Sequence, residues 1–456
     1  MTIKFYNSLT NQKEDFVPIR EGEVGMYVCG MTVYDNCHLG HARAMMAFDI
    51  LARYLRYQGY KLNFTRNITD IDDKIIDRAN ENKETIDALT ERTIASMHED
   101  FLKLGLELPT NEPRATDHIE GMINMISKLI EKGHAYHSEG GDVFFAVRTF
   151  PEYGKLSNKN IDDLNPGSRV EADGSKKDPL DFVLWKSAKQ NEPSWDSPWG
   201  LGRPGWHIEC SVMSLENLGK HFDIHGGGPD LLFPHHENEI AQSECASDHK
   251  FANYWMHSGL LKINGEKMSK SLGNFAMLKD LFASYHPEVI RYYLISSHYR
   301  SSLNFDNESL DQARSALTRL YQAASLVPSQ ESDLHDDSVK EFINSMNDDL
   351  NTPEALSTLF GLAKSINSSQ DAQDQSRYAS TMRELGKVLG LLNESPEAFF
   401  QYGANLTDKE IGKKIEERNK ARDAKDFQKA DQIRDELAAQ GILLDDSSDG
   451  TTWKKS

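Results

Sequence analysis

The apolar positions of this chain change period several times, and the changes divide it. Near the start, "GMYVCG" (25–30) is an almost unbroken apolar run that suits a strand buried on both faces. After a short loop, "HARAMMAFDILARYLRYQG" (41–59) places apolar residues at helical spacing and stops at Gly59. "KLNFTRNI" (61–68) reads as a second strand, and "TDIDDKIIDRAN" (69–80) as a helix with Thr69 or Asp70 as its N-cap. Strand, helix, strand, helix begins a doubly wound parallel sheet of the Rossmann type. The expected fold class is therefore α/β.

From about 110 to 204 the texture changes. One helix, "HIEGMINMISKLIEKGHAY", gives way to short strands and the polar stretch "GSRVEADGSKKDPLDFVLWK", which reads as an insertion folded onto the sheet. The α/β pattern returns with "HFDIHGGGPDL", where a strand runs into three glycines. In open α/β sheets, ligands sit outside the carboxyl ends of the strands, where such turns occur. From about 309 to 397 the pattern is helical, as in "SLDQARSALTRLYQAASL" and in "TPEALSTLFGLAKSI", which enters through Thr352 and Pro353. A basic helix and "GILLDDSSDGTTWKKS", read as a β-hairpin, end the chain. The expected domains are 1–308 (doubly wound α/β, with the insertion at about 110–204), 309–400 (a helical bundle) and 401–456 (a small α+β domain). There are no internal repeats.

Composition narrows the class. The 456 residues exceed one ordinary core, and 38% hydrophobic with 27% charged residues are globular values. Four cysteines cannot form a disulfide framework in such a length and suit a reducing cytosol. The N-terminus has no apolar run of signal-peptide length and no transmembrane stretch follows, so a soluble cytoplasmic protein is expected. A net charge of −20 argues against nucleic acid as a partner, but binding faces are local. Between Lys413 and Arg434, eight Lys or Arg face five Asp or Glu, a balance of +3. That run is either a basic face or a solvated helix laced with ion pairs.

Chemistry concentrates in "VCGMTVYDNCHLGHAR" (28–43), which holds Cys29, Cys37, His38 and His41. A self-contained zinc finger needs two short chelating pairs, whereas seven residues separate these cysteines and Cys37 abuts His38. His38-Leu39-Gly40-His41 instead opens a helix after a strand and loop. Unpaired N–H groups there favour anions, Gly40 permits close approach of a nucleotide, and two histidines can donate to phosphate oxygens. In "INGEKMSKSLGN", Lys267 and Lys270 interleave with hydroxyls, either as a phosphate clamp or as a solvated basic loop. In "FPHHENEIAQSEC", His235 and Glu239 fall at i,i+4 on one helix face, close enough to share an ion. With Cys29 and the Cys210 of "GWHIEC" they make a tetrahedral zinc shell, or else two buried cysteines beside a surface pair.

Taken together, the two nucleotide motifs resemble the HIGH and KMSKS signatures of class I aminoacyl-tRNA synthetases, with Leu39 in place of isoleucine. The strings "MYVCGMTVYDNCHLGHAR", "RNITDIDDKI", "GRPGWHIECS", "HFDIHGGGPDLLFPHHENEIAQSE", "YWMHSG", "EKMSKSLGN" and "MNDDLNTPEAL", through to the final "GTTW", are similar to the cysteinyl-tRNA synthetase family over nearly the whole chain. The resemblance implies a zinc ion on Cys29, Cys210, His235 and Glu239, with His235 chosen over His236. It implies phosphate contacts by His38, His41, Lys267 and Lys270. Cys37 and Cys245 remain as small buried apolar residues.

It further implies ATP with Mg²⁺, L-cysteine and a cysteine tRNA as partners, no membrane, and a monomer. Gly226, Gly227, Gly228 and Asp230 then sit where adenosine lies, with Asp230 suited to a ribose hydroxyl. Trp206 would wall the small side chain, and Tyr27 and Thr69 would touch the amino acid. Trp453, Arg422 and Arg434 become candidates for unstacked anticodon bases. A zinc that admits the substrate sulfur discriminates by a bond present or absent, since a thiol ionises more readily than a hydroxyl. The inserted ninety or so residues look too few for an editing domain.

Overall fold

The computed structural model describes residues 2–163, 176–190, 192–267, 275–328, 332–403, 406, 408–447 and 450–455. These fall into two compact units. The first comprises Met1–Met277, Leu294–Phe305 and Ile343–Ala355, and the second Leu278–Tyr293, Asp306–Phe342 and Leu356–Ser456. The chain thus leaves the first unit and returns to it twice.

The first unit is built on a four-stranded parallel sheet. In chain order its principal elements are β1 (Glu23–Val28), α1 (Leu39–Tyr57), β2 (Lys61–Arg66), α2 (Trp206–Leu218), β3 (Phe222–Gly227), α3 (Glu237–Ser247) and β4 (Ala252–His257). The strands lie in the order β4-β3-β1-β2. Register places Thr65, Tyr27, His225 and Trp255 in one row across the sheet, all four buried. A sheet covered on both faces has no polar side to alternate with, which is why its strands read as apolar runs.

Glycine sets two close approaches here. An added Cβ on Gly30 would lie 1.7 Å from the Asn67 carbonyl oxygen, and one on Gly226 would lie 2.1 Å from Cε1 of Phe48 on α1. Phe48 is 1% exposed and has nowhere to swing.

The helix expected after β2 begins later than its sequence suggests. It spans Asp73–Asn82, and Asp72 is the cap, accepting from Lys74 N at 2.9 Å. Asp70 is committed elsewhere, accepting from Thr116 N at 3.0 Å and Thr116 Oγ1 at 2.6 Å. Thr69 donates to Glu209, and Ile71 enters the core, so the chain stays extended past both expected caps.

The inserted region forms a helix, Ile119–Glu131, and an antiparallel sheet of four short strands. Its Met122, Ile126, Val143, Phe145 and Trp185 join Tyr27, Cys29 and Cys210 in a single buried cluster. The insertion therefore completes the core behind the strand ends. A hairpin of Lys4–Asn7 and Gln12–Asp15, not anticipated from the sequence, precedes the sheet.

The second unit is helical and closes on the expected hairpin, Ile442–Ser447 against Gly450–Lys455. Ile411, Ile433, Leu437 and Ile442 make a small separate core there, and Trp453 packs against it. Arg422 donates to Asp446 at 3.0 Å, beside a two-pronged Arg418–Asp446 pair, while Arg434 is exposed.

Candidate active site and metal centre

Three segments deliver Cys29, Cys210, His235 and Glu239 to one point. Cys29 follows the last residue of β1, Cys210 lies in α2, and His235 and Glu239 flank the start of α3. One ligand atom from each lies within 4.8 Å of all the others, and all four residues are buried. The Cys29 and Cys210 sulfurs are 3.6 Å apart, Cys29 Sγ is 3.5 Å from Glu239 Oε1, and His235 Nε2 is 2.9 Å from that oxygen.

A cation fits these residues. Glu239 is wholly buried, and its Oε2 makes no hydrogen bond despite lying 3.2 Å from His225 Nε2. Burial opposes charge on His235, yet Glu239 and Cys210 together push its imidazole up to about 10. Sulfur and carboxylate thus favour positive charge at this point of the pocket.

A second set, Cys29, His225, His236 and Glu239, meets the same distance criterion. It shares Cys29 and Glu239 with the first, so the two sets are alternatives for one ion. Sequence reasoning passed over His225, because a strand buried on both faces gives no sign of where its side chains point. Both histidine sites have outer partners: His235 Nδ1 meets His207 Nδ1 at 2.8 Å, and His236 Nδ1 meets His257 Nε2 at 2.9 Å. Trp206 is 39% exposed and lies over the His235 ring at 4.2 Å between centroids. Tyr27 is fully buried, and burial followed by Cys210, Cys29 and Glu239 raises its hydroxyl, which places it beside the cluster. Thr69 donates to Glu209 at 3.0 Å; Glu209, buried with its Oε1 unpartnered, was also missed. Cys37 and Cys245 are buried away from the cluster, as expected.

The start of α1 is built differently. His38 is its N-cap, in extended backbone. His38 Nδ1 accepts from His41 N at 3.2 Å, and His41 Nδ1 accepts from His38 N at 3.4 Å, a reciprocal capping box. Accepting at Nδ1 leaves the proton of each neutral ring on Nε2. The rings stack with centroids 3.5 Å apart. Burial lowers His38 to about 4 and His41 well below its usual 6.5, which favours the neutral form of both rings. Gly40 lies between them in the first turn of α1.

Leu39 N donates to Ala276 O at 2.9 Å, which brings the chain after the lysine loop to this helix start. Lys267 ends a two-residue strand, Glu266–Lys267, and Lys270 lies outside the described residues. Of the glycines at the end of β3, Gly226 is closed off by Phe48 and Gly227 by His236, each where a side chain would stand. Gly228 is buried and faces the Asp230 carboxylate, and Asp230 is exposed.

Comparison with known proteins agrees with this geometry. The family model "tRNA synthetases class I (C) catalytic domain" matches residues 15–315, and a DALR domain matches 341–393. A cysteine–tRNA ligase of Methylococcus capsulatus is 57% identical, covering 99% of this chain and all of its own. One of Halorhodospira halophila is 56% identical over the full length of both. Among solved structures, a Mycobacterium tuberculosis methionyl-tRNA synthetase with methionyl-adenylate aligns with TM-score 0.57 at 16% identity, covering 80% of this chain and 89% of that one. At that identity the likeness concerns the fold. The full-length relatives carry more: the chain belongs to the cysteine–tRNA ligase family, within the class I tRNA synthetases.

Proposed function

We propose that this ligase selects cysteine through a zinc ion held by Cys29, Cys210, His235 and Glu239. The observation that carries the reading is the convergence of two sulfurs, an imidazole and a carboxylate within 4.8 Å in a buried pocket. Of the two donor sets, this one has both thiols, and thiolates favour zinc over harder cations. Zinc there would supply a Lewis-acid seat that suits a thiolate and gains little from a serine hydroxyl.

The rest of the reaction belongs to the chain's own groups. The cysteine carboxylate attacks the α-phosphorus of ATP, which arrives with Mg²⁺, and pyrophosphate departs to leave cysteinyl-adenylate. A 3′-terminal ribose hydroxyl of the cysteine tRNA then displaces AMP. No protein nucleophile is required, so positioning and charge stabilisation dominate. His38 and His41 donate their Nε2 protons to phosphate oxygens in hydrogen bonds, and Lys267 and Lys270 supply positive charge against the same oxygens. Gly40 lets the nucleotide approach α1. Gly226, Gly227, Gly228 and Asp230 border adenosine, while Tyr27, Thr69 and Trp206 border the amino acid. Buried free cysteines support a reducing, cytoplasmic setting, and the enzyme works as a monomer. Residues 1–308 carry the chemistry, 309–400 form the bundle, and 401–456 contact the anticodon with Trp453, Arg422 and Arg434 as candidates.

The deciding experiment is ATP–pyrophosphate exchange across a panel of amino acids, paired with elemental analysis. Exchange with cysteine alone, and one zinc per chain, are expected. Equal exchange with serine, or a metal-free active enzyme, overturns the zinc reading.

A further inference from the structure

Arg43 stands in the first turns of α1, two residues after His41, and is 3% exposed. A buried guanidinium normally faces a carboxylate. This one donates to backbone carbonyls of a single segment. Nη1 donates to Leu294 O and, at 3.4 Å, to Ser297 O. Nη2 donates to His298 O at 2.6 Å, Tyr299 O at 3.2 Å and Ser301 O at 3.1 Å. Five carbonyls of one short stretch thus converge on one side chain. The four N–H groups of Nη1 and Nη2 face these five carbonyls, so at least one is shared, and only arginine presents that many donors in a rigid fork.

That stretch continues to the strand ends. Tyr299 O also accepts from Gly259 N at 2.6 Å, and Ser258 N donates to Gly227 O at 3.1 Å. Gly259 is pressed so closely that an added Cβ would sit 2.1 Å from Ser301 O. A continuous path therefore runs from α1 through Arg43 to residues 299–301, then to the exit of β4 and the exit of β3. It joins the helix that carries His38 and His41 to the strand ends beside the glycines.

We infer that Arg43 is a positioning residue for adenylate formation, fixing the histidine-bearing start of α1 relative to the carboxyl ends of β3 and β4. The inference rests on the reading that His38 and His41 face the ATP phosphates. Displacing a catalytic group by about 1 Å can cost 10²-fold in rate. Other bonds hold the same segment. Thr352 Oγ1 donates to Ile295 O at 2.7 Å, and Asp349 accepts from Tyr299 Oη at 2.9 Å and Arg300 Nε at 2.8 Å, securing it independently.

The test compares Arg43→Lys, Thr352→Val and His41→Ala in the full-length enzyme, by cysteine-dependent pyrophosphate exchange, thermal melting and zinc content. Arg43→Lys keeps the charge and loses the fork. Its kcat is expected to fall roughly 10–100-fold, with KM for cysteine and zinc content within about twofold of wild type. Thr352→Val removes one bond from the same segment and should lower Tm without changing kcat per folded molecule. If Arg43→Lys exchanges at the wild-type rate while His41→Ala is slow, the positioning role is refuted and the phosphate reading stands. Normal exchange in His41→Ala refutes the phosphate reading itself. Equal loss in Arg43→Lys and Thr352→Val assigns the effect to segment packing and also refutes the inference.

Discussion

The metal cluster and the start of α1 solve different problems with the same residue types. At the cluster, sulfur and carboxylate come from segments as far apart as 210 residues, and every donor is buried. At the helix start, two histidines three residues apart hold each other through their own backbone. The cluster is electron-rich and calls for a cation; the helix start has rings that burial favours as neutral, each with an Nε2–H to offer, and suits an anion. One site exists only when the whole first unit is folded. The other is nearly complete in one turn of helix.

Four measurements press on that contrast. Removing a ligand should have the largest effect. Cys210→Ser is expected to lose most of its zinc and to slow cysteine-dependent exchange by at least about 10³, beyond the 10–100-fold typical of outer-shell changes. Retention of a full zinc complement would remove Cys210 from the shell.

At the helix start, His38→Ala and His41→Ala should each slow adenylate formation by roughly 10²–10³ while zinc content stays at the wild-type level. Both also lose half of the capping box, a cost of about 0.5–2 kcal/mol that a melting curve would register. Loss of zinc in either variant would mean that the two regions are not independent.

A smaller effect is expected for His207→Ala, which takes away the outer partner of His235. Zinc affinity should drop by about 10–100-fold, read by chelator competition. Unchanged affinity alongside a drop for His236→Ala would favour the alternative donor set.

The smallest effect concerns pH. His38 is lowered from 6.5 to about 4, and His41 is lowered too. Between those values the unfolded chain binds more protons than the folded one, so their stability contribution is complete above 6.5 and drains as pH falls towards 4. Single-turnover adenylate formation should therefore be level from about pH 8 to 6 and decline only near 4–5. A drop centred on 6.5 would contradict neutral donors.

The same contrast explains what could be read in the chain. The strand–helix alternation, the His38–His41 pair and the terminal hairpin depend on neighbours within a few residues, and their patterns are visible. Asp72 as the cap was not, because Asp70 is claimed by Thr116 from 46 residues away. The i,i+4 phase exposed His235 and Glu239, but nothing local joins them to Cys29 and Cys210; that pairing came from family resemblance. His225 and Glu209 were missed for a related reason: their roles come from what the fold brings beside them, which their own segments do not reveal.

Gly226 has one more consequence. The gap between α1 and the sheet is set where Phe48 occupies the space a side chain would fill. A spacing fixed by a missing atom has no pKa, no counterion and no redox partner. Acid, salt, chelators and oxidants can each disable some other part of this enzyme, yet none of them acts on that interval. It is a mechanical datum from which the helix is hung, and only a mutation can move it.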